Sequence, residues 1–425
     1  MNEFFLHFIW QYQFFDKQEL KTTNGDKITI LNPGHHNTDQ GPDFSHARIL
    51  MDDMEWHGNV EIHLKASDWF LHKHQKDKNY DTIILHIVWD NDREINREDK
   101  SVIPVLELKD KVDIALLDKY RTFINSGIQL PCQYYLKEIQ EVVVIGMFDK
   151  VLIERLERKG SEILDLYILN KNDWEETFWQ ILARNFGFKI NNDAFERLSR
   201  AVPYKLLLKH SDNIIKLEAL LYGQSGMLEE APEDSYTTLL KKEYAFLSHK
   251  YSLGDKKMPA HTWKFLRTRP YNFPTIRIAQ LAVMLKNSDK LINLIYEKKE
   301  IKEYMQFLKT PVSNYWKEHY KFGEKMKTAV PGITETAVYN IIINVVIPFK
   351  TARYMAGISE NFPDEQFGLL EKLPSEINKI ANEWEGVGIK MKTAFDSQAG
   401  IELYNQYCLK RKCLYCTIGT HIIRH

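Results

Sequence analysis

The hydrophobic pattern of the chain changes near residue 110, and this change constrains the fold more than any other feature. Before it, short segments alternate apolar and polar residues and are separated by Gly, Pro, Asn and Asp, which is typical of β-strands. After it, apolar residues recur at helical spacing almost without interruption. The pattern predicts an α+β protein, with an α/β domain over residues 1–125 and a large all-helical domain over residues 126–425.

The elements of the first domain are predicted in the order αβββαβ. An aromatic-rich helix comes first, three strands follow, and a helix that begins at Ser67 and Asp68 leads into a buried strand. The predicted bounds are a helix over 2–15, strands over 27–31, 44–51 and 56–65, a helix from 67 to about 78, and strands over 80–89 and 102–108. In the second domain, helices are predicted almost without interruption, with examples over 143–158, 174–186, 213–222, 236–250, 275–286, 289–308, 334–347 and 366–384.

Composition argues against several classes of protein. The 425 residues carry a formal net charge of −1, so no overall field attracts nucleic acid or an anionic membrane. No run of about 18 apolar residues is present, so no transmembrane helix is expected. Four cysteines are too few for a disulfide framework, and the apolar N-terminal segment lacks the basic region of a signal peptide. We therefore expect a cytoplasmic protein without a membrane partner.

Histidine is concentrated in the first domain, where nine of the fifteen histidines lie within residues 1–86. They are His7, His35, His36, His46, His57, His63, His72, His74 and His86. Imidazoles bind metal ions and exchange protons near neutral pH, and a purely structural domain does not need so many of them. Some are expected to be ordinary surface or core residues, but their density indicates a chemical site.

Two predicted strands carry acidic residues that can meet. Asp43 opens one strand, and Glu61, His63 and Lys65 share one face of the next because side chains alternate along a strand. Neighbouring carboxylates form a hard oxygen site of the kind that Mg²⁺ or Mn²⁺ prefers. A base beside such a site can activate water. The pattern therefore predicts metal-assisted hydrolysis of a phosphodiester, with Asp43 and Glu61 as metal ligands.

The Pro-Asp pair ending at Asp43, the Glu61-x-His63 pattern and the αβββαβ order resemble the core of the PD-(D/E)XK nuclease superfamily. The resemblance covers about residues 1–95 and implies a restriction-endonuclease-like fold. It also implies that Asp43 and Glu61 bind the metal and that Glu3 on the first helix assists. His63 stands where the superfamily has a lysine that helps to activate water, and Lys65 on the same strand face is the candidate substitute.

The whole chain resembles a bacterial family of uncharacterised proteins. The resemblance is carried by the segments GPDFSHARI at 41–49, GNVEIHLKASDW at 58–69 and RPYNFPTIRIAQLA at 269–282. It implies no activity.

A zinc site is an alternative to the magnesium site. His63, one helix histidine and either Glu61 or Asp43 would give the mixed nitrogen and oxygen ligands of catalytic zinc. His72 and His74 are two positions apart on a predicted helix, so at most one of them is expected to face the sheet.

All four cysteines of the chain are candidates for a second metal site. Cys408, Cys413 and Cys416 have the spacing C-x4-C-x2-C, and Cys132 follows Pro131 near the start of the helical domain. Four thiolates can hold Zn²⁺ or an iron–sulfur cluster, and the spacing does not decide between them. The arrangement is similar to the cysteine staple of some PD-(D/E)XK nucleases, which implies a structural role.

A basic and aromatic segment, residues 263–282, offers a possible contact with nucleic acid. Arg267, Arg269 and Arg277 are interleaved with aromatic residues, as in grooves that bind single strands. Pro270 and Pro274 favour a different interpretation, in which one helix ends, another begins, and the aromatic residues pack in the bend.

The sequence therefore predicts a metal-dependent nuclease acting on DNA or RNA, with Glu3, Asp43, Glu61, His63 and Lys65 in its active site. The alternative is a nuclease-like fold kept as a non-catalytic interaction scaffold, stapled by its four cysteines. A third hypothesis is a zinc hydrolase that uses the histidine cluster on a small substrate. Sequence motifs for a serine nucleophile, a P-loop or a Rossmann fold are absent.

Overall fold

The computed structural model describes residues 2–37, 40–125, 127, 129–266, 268–286, 300–330, 332–360 and 362–424. The chain divides into two compact units. Unit 1 comprises Met1–Met147 together with Leu403–His425, and unit 2 comprises Phe148–Glu402. In the described part of the chain, no helix is long and apolar enough to cross a membrane.

Unit 1 contains a mixed sheet. Its strands are β1 (Ile28–Asn32), β2 (His35–His36), β3 (Phe44–Met51), β4 (Met54–Lys65), β5 (Ile83–Asp90) and β6 (Val105–Glu107). Neighbours follow the order β1-β3-β4-β5-β6, and β2 also pairs with β3. The pairs β1–β3, β2–β3 and β3–β4 are antiparallel, whereas β4–β5 and β5–β6 are parallel. A two-residue turn, Asp52-Asp53, joins β3 to β4.

The first helix, α1 (Glu3–Tyr12), packs against β4. The Asn2 side chain accepts a hydrogen bond from the Phe5 N–H (3.2 Å), which caps the helix. Phe5 and Ile9 are fully buried one turn apart, and the buried Trp10 indole donates to the Pro33 carbonyl (2.9 Å). Packing of this apolar face places His7 of α1 beside His36 of β2 and beside Asp43, which directly precedes β3.

The other helices of unit 1 are short or lie after the sheet. They are α2 (Asp68–Leu71), α3 (Ile114–Asn125), the start of α4 (Glu141–Leu169), and the C-terminal α17 (Thr417–Arg424). The Thr417 N–H donates to Met147 Sδ (3.4 Å), and the Arg424 guanidinium lies 4.0 Å from the centre of the Tyr12 ring. The C-terminal segment thus completes unit 1.

Unit 2 is mainly helical in its described part, with one small hairpin. After α4 come α5 (Trp174–Phe186), α6 (Phe188–Ala201), α7 (Tyr204–Leu208), α8 (Ile214–Gln224), α9 (Ser235–Tyr251), α10 (Pro274–Lys286) and α11 (Ile301–Leu308). The hairpin is β7 (His319–Lys321) and β8 (Glu324–Lys325). The last helices are α12 (Glu335–Ile341), α13 (Ile347–Met355), α14 (Asp364–Glu371), α15 (Lys379–Gly386) and α16 (Ala394–Leu403), and a π-helical turn over Ile342–Val346 joins α12 to α13.

The prediction of a mixed α+β protein with an N-terminal sheet and a largely helical remainder is confirmed. Three predicted elements differ in detail. The helix expected from 67 to about 78 ends at Leu71, the helix expected over 143–158 continues to Leu169, and the helix expected over 366–384 is two helices. The short strand β2 was not predicted. The helix predicted over 289–308 falls partly on residues outside the described ranges.

The basic and aromatic segment of residues 263–282 lies where one structural element ends and the next begins, and several of its side chains are packed there. Trp263 is buried, and its indole donates to the Ser225 carbonyl (2.9 Å). Pro274 begins α10, in which Arg277 is buried and donates to Gln280 Oε1 (2.8 Å). Arg267 lies outside the described residues. These contacts favour the packing interpretation of the segment.

Candidate metal centre

The site is centred on Asp43 and Glu61, which two neighbouring strands bring together. Asp43 directly precedes β3, and Glu61 lies in β4, one position after Val60, the partner of Phe44. The Asp43 backbone N–H donates to Glu61 Oε2 (3.1 Å), and the Ile62 backbone N–H donates to Asp43 Oδ2 (2.9 Å). These bonds hold the two carboxylates side by side. The alternation of side chains along the strands predicted that they would be close to each other.

Imidazoles contact both carboxylates. His7 Nε2 on α1 lies 3.3 Å from Asp43 Oδ2, and His74 Nε2 lies 3.2 Å from Glu61 Oε1. His63 Nε2 lies 3.7 Å from the same oxygen of Glu61. The Nε2 atoms of His7 and His74 are buried, yet neither makes an aligned hydrogen bond with a described atom. Both nitrogens therefore remain available as ligands.

Further histidines extend the cluster. His63 shares a hydrogen bond through Nδ1 with His86 Nε2 (2.7 Å) and another through Nε2 with His72 Nδ1 (3.1 Å). On the other side, His36 Nε2 lies 3.3 Å from His7 Nδ1. One ring nitrogen each from His63, His72 and His74 lie within 4.8 Å of one another. Three imidazoles therefore converge beside Glu61.

The expectation that at most one of His72 and His74 faces the sheet is wrong. It assumed a continuous helix, but α2 has only four residues and His72 is its C-terminal cap. Lys73 then adopts a left-handed conformation (φ 64°), and His74 begins a 3₁₀ turn that runs to Lys76. The reversal at Lys73 changes the direction of the chain, so both histidines turn towards His63.

Burial controls the charge of the central groups. Burial, together with the charge of Asp43, raises the pKa of Glu61 to about 9. Burial and the neighbouring imidazoles lower the pKa of His63 to about 2, and burial lowers that of His86 to about 3. Without a cation, His63 and His86 are therefore neutral at physiological pH, and the Glu61 carboxyl group keeps its proton. A bound cation would favour the ionised carboxylate.

The remaining predicted site residues lie at different depths. Glu3 on α1 is half-buried, and burial raises its pKa, while His72 lowers and Asp43 raises it through their charges. Glu3 is thus close enough to the cluster to interact with it. Lys65 ends β4 and is exposed, opposite Asp90 on β5, and its charge acts on Asp92. The structure shows no contact of Lys65 with the two carboxylates.

The centre is open to solvent on one side. The His63 and Glu61 side chains are 2% and 5% exposed, whereas the Asp43 side chain is 23% exposed and His72 is an exposed residue. The cluster is therefore accessible from solvent on the side of Asp43 and His72. His63, His72 and His74, with Glu61 and Asp43, are the residues that could hold a metal ion.

Sequence reasoning did not single out His7, His36 or His86 as site residues. His7 lies four positions after Glu3, so both project from one face of α1, and this spacing was available from the sequence. His86 is the direct β5 partner of Glu61 in the parallel pair, which only the register of the strands shows. His36 belongs to the two-residue strand β2, which gives no periodic signal.

The comparisons with known proteins place the chain in a family. Residues 3–379 match the family model described as "Protein of unknown function (DUF2851)". The chain belongs to the DUF2851 family. No curated protein and no solved structure matches it. The residues of the histidine and carboxylate cluster all lie within the part that matches DUF2851.

The cysteines of this DUF2851 protein form a separate group in unit 1. Cys132, Cys408, Cys413 and Cys416 are all buried, and none forms a disulfide. All four line one small cavity. Cys132 lies within the part that matches the DUF2851 model, and the other three follow it. The fold therefore brings the remote Cys132 to the same cavity as the C-terminal trio.

Proposed function

We propose that this protein is a metal-dependent hydrolase that cleaves phosphodiester bonds in DNA or RNA. The observation that carries the proposal is the pair Asp43 and Glu61, held together by backbone hydrogen bonds and contacted by imidazoles from three different segments. Two carboxylates and several imidazoles converge at one point and form a set of oxygen and nitrogen donors that suits a divalent cation.

The donor set favours a particular kind of ion. Imidazole nitrogens are preferred by Zn²⁺, Fe²⁺ and related ions, whereas Mg²⁺ is bound mainly by oxygen. Mn²⁺ binds carboxylates, and it also binds nitrogen ligands more strongly than Mg²⁺ does. Of the two ions that the sequence suggested, we therefore favour Mn²⁺, with Zn²⁺ as the alternative. A bound divalent ion supplies charge stabilisation and Lewis acidity at the scissile phosphate.

The chain's own residues have separate roles in this proposal. Asp43 and Glu61 bind the ion, because their oxygens lie at the centre of the cluster. His74 and His63 complete the ligand set next to Glu61, and His86 orients the ring of His63 through its 2.7 Å hydrogen bond. Such a hydrogen bond fixes which ring nitrogen faces the ion.

The phosphodiester substrate is proposed from the order of elements. A helix, four strands in antiparallel pairs, a short helix and a parallel strand follow one another, and apart from the two-residue β2 this is the order that the nuclease resemblance implies. The two acidic residues also occupy the expected positions, one at the start of β3 and one within β4. Both features support the nuclease proposal over hydrolysis of an unrelated small molecule.

A second candidate is a non-catalytic interaction scaffold. It is favoured by the position of Lys65, which is exposed at the end of β4, and by the histidine that stands where the lysine of the nucleases is expected. A scaffold would retain the buried cluster for stability and would not turn over a substrate.

Cleavage assays with matched variants separate these proposals. The full-length protein is incubated with single- and double-stranded DNA and RNA in Mn²⁺, Zn²⁺ or Mg²⁺. We expect cleavage with Mn²⁺, and a loss of about 100-fold or more in Asp43→Asn and Glu61→Gln, because each removes a charged ligand. The control is His57→Gln, an exposed histidine of the same strand β4, which should cleave at the wild-type rate.

Ion binding is measured in parallel by titration calorimetry. Tight Mn²⁺ binding that is weakened in Glu61→Gln, without any cleavage, would favour the scaffold. Hydrolysis of a small ester with Zn²⁺ alone would favour the zinc hydrolase. If neither ion binds and no substrate is cleaved, the metal-dependent hydrolase proposal is wrong.

A further inference from the structure

We propose that Cys132, Cys408, Cys413 and Cys416 together hold an iron–sulfur cluster in unit 1. The proposal does not depend on the hydrolase proposal, because the cysteines belong to a separate group with its own cavity. These four are all the cysteines of the chain, and the fold brings residues separated by more than 270 positions to one point.

The cysteines come from three local structures. Cys132 lies in the turn after α3, and Cys408 ends the π-helical turn that continues α16. Cys413 begins a 3₁₀ helix, and Cys416 is the residue before α17. Tight turns of this kind can direct side chains that are close together in the sequence towards the same point. All four side chains are buried although the surrounding turns lie near the surface.

The walls of the cavity are suited to thiolates and to little else. Besides the four cysteines they consist of Phe123, Pro131, Tyr407 and Gly419. No carboxylate or imidazole lines the cavity, so its donor atoms are sulfur. A small dry cavity that is lined by four thiols has no evident purpose in core packing, which would close it with a larger apolar side chain. Soft sulfur ligands select zinc, copper(I) or iron–sulfur clusters.

The separation of the sulfur atoms favours a cluster over a single ion. Four thiolates around one Zn²⁺ at 2.3 Å would lie about 3.8 Å from one another. Among the described residues, no three cysteine Sγ atoms lie within 4.8 Å of one another. A cluster spreads its four thiolates further apart, because they are shared among two or more iron atoms. The arrangement is therefore wider than a lone zinc ion requires.

Neighbouring charges make the group compatible with bound metal. Arg411, between Cys408 and Cys413 in the sequence, acts on the Cys413 sulfur through its positive charge. On cluster binding each thiol would lose its proton to solvent as its sulfur bonds to iron. Arg411, with Lys410 and Lys412 beside it in sequence, would then offset the negative charge of the thiolates.

The cluster would also position one wall of the candidate metal centre. Tyr415, between Cys413 and Cys416, packs edge-on against Phe4 (ring centroids 6.0 Å apart) and lies 6.2 Å from the His36 ring. The loop that binds the cluster is thereby in contact with residues beside the histidine cluster. A staple at this point would keep Leu403–His425 on unit 1.

The test is performed on the full-length protein, purified without oxygen. We expect about two to four iron atoms and as many acid-labile sulfides per chain, with broad visible absorption that bleaches on reduction. Cys408→Ser should lose most of the iron and the absorption. Lys137→Gln, an exposed residue five positions after Cys132, is the control and should retain both.

Two outcomes would overturn the proposal. One equivalent of zinc without iron or sulfide would show that the site holds a single ion. A protein that binds no metal, even after anaerobic incubation with Fe²⁺ and sulfide, would show that the cysteines are packing residues. Mössbauer spectra of the ⁵⁷Fe-labelled wild type give the same answer if Cys408→Ser fails to fold.

Discussion

At the scale of single residues, Glu218 of α8 shows how burial changes the pKa of a carboxyl group in unit 2. It is fully buried, and its oxygens accept hydrogen bonds from Tyr236 Oη (2.9 Å) and Ser313 Oγ (2.6 Å). No cation is paired with it among the described residues. Burial raises its pKa from 4.5 to about 7, against the lowering effect of the two hydrogen bonds.

The higher pKa in the folded chain means that folding favours the protonated form of Glu218. Its ionisation therefore destabilises the fold as pH rises from 4.5 to about 7, by about 3 kcal/mol in total, and no further above that range. We predict that Glu218→Gln unfolds in urea much like the wild type at pH 5 and is more stable at pH 8.5. Glu233→Gln, at an exposed position, is the control. Equal stabilities of Glu218→Gln and wild type at pH 8.5 would contradict the prediction.

The same scale shows how far sequence reasoning reaches into the candidate site. Asp43, Glu61 and His63 were predicted because alternation along a strand is a local property that the residues themselves display. His86 and His36 depend on the pairing of β4 with β5 and of β2 with β3, and this pairing is decided by the whole sheet. The metal-binding and catalytic roles predicted for Asp43, Glu61 and His63 stay predictions.

At the scale of elements, Gly58 shows how closely β4 and β5 approach each other. A methyl group at this position would lie 2.4 Å from Ile84 Cγ2 and 2.6 Å from the Thr82 carbonyl oxygen. Since a carbonyl oxygen cannot move without the backbone, Gly58→Ala should destabilise the fold by about 1–3 kcal/mol. The opposite sign is expected for Gly146→Ala in exposed α4, where no atom lies within 4 Å and alanine favours the helix by up to about 1 kcal/mol.

Urea unfolding of both variants provides the check. If Gly58→Ala were as stable as Gly146→Ala, the close contact between β4 and β5 would have to relax at no cost, and the register of that pair would be in doubt. Because β4 carries Glu61 and His63, we expect Gly58→Ala also to weaken metal binding at the candidate site.

Two elements with a strong local signal, β3 and α5, were predicted to the residue. The alternation of β3 and the amphipathic pattern of α5, which Asp173 caps by accepting from two backbone N–H groups, agree with the structure at both ends. The prediction of a long helix after Ser67 was wrong, because the polar residues of this segment fit a helix and a series of tight turns equally well. Lys73 in a left-handed conformation ends it, and a lysine gives no sign of such a turn.

At the scale of the whole molecule, the chain of unit 1 is discontinuous. Met1–Met147 and Leu403–His425 form one compact body, and the long middle segment forms the other. The helical periodicity of the sequence continues through the last 23 residues and gives no indication that they belong with the sheet. Only the cysteine spacing indicated that these residues belong with the sheet, because three of the four cysteines lie after residue 403. The predicted division at residue 125 stays a prediction.

Fragments of the chain distinguish the two divisions. We predict that residues 141–402, which begin at the N-terminus of α4, fold alone, with helical circular dichroism and a cooperative transition. Residues 1–125 should not fold stably, because they lack the segment that packs against Phe4 and Tyr12. Joining residues 1–147 to 403–425 through a flexible linker of about 15 residues should restore a folded unit that contains all four cysteines. If instead residues 1–125 and 126–425 each fold cooperatively and the joined chain does not, the boundary lies near residue 125, and the C-terminal segment is not needed to complete the sheet domain.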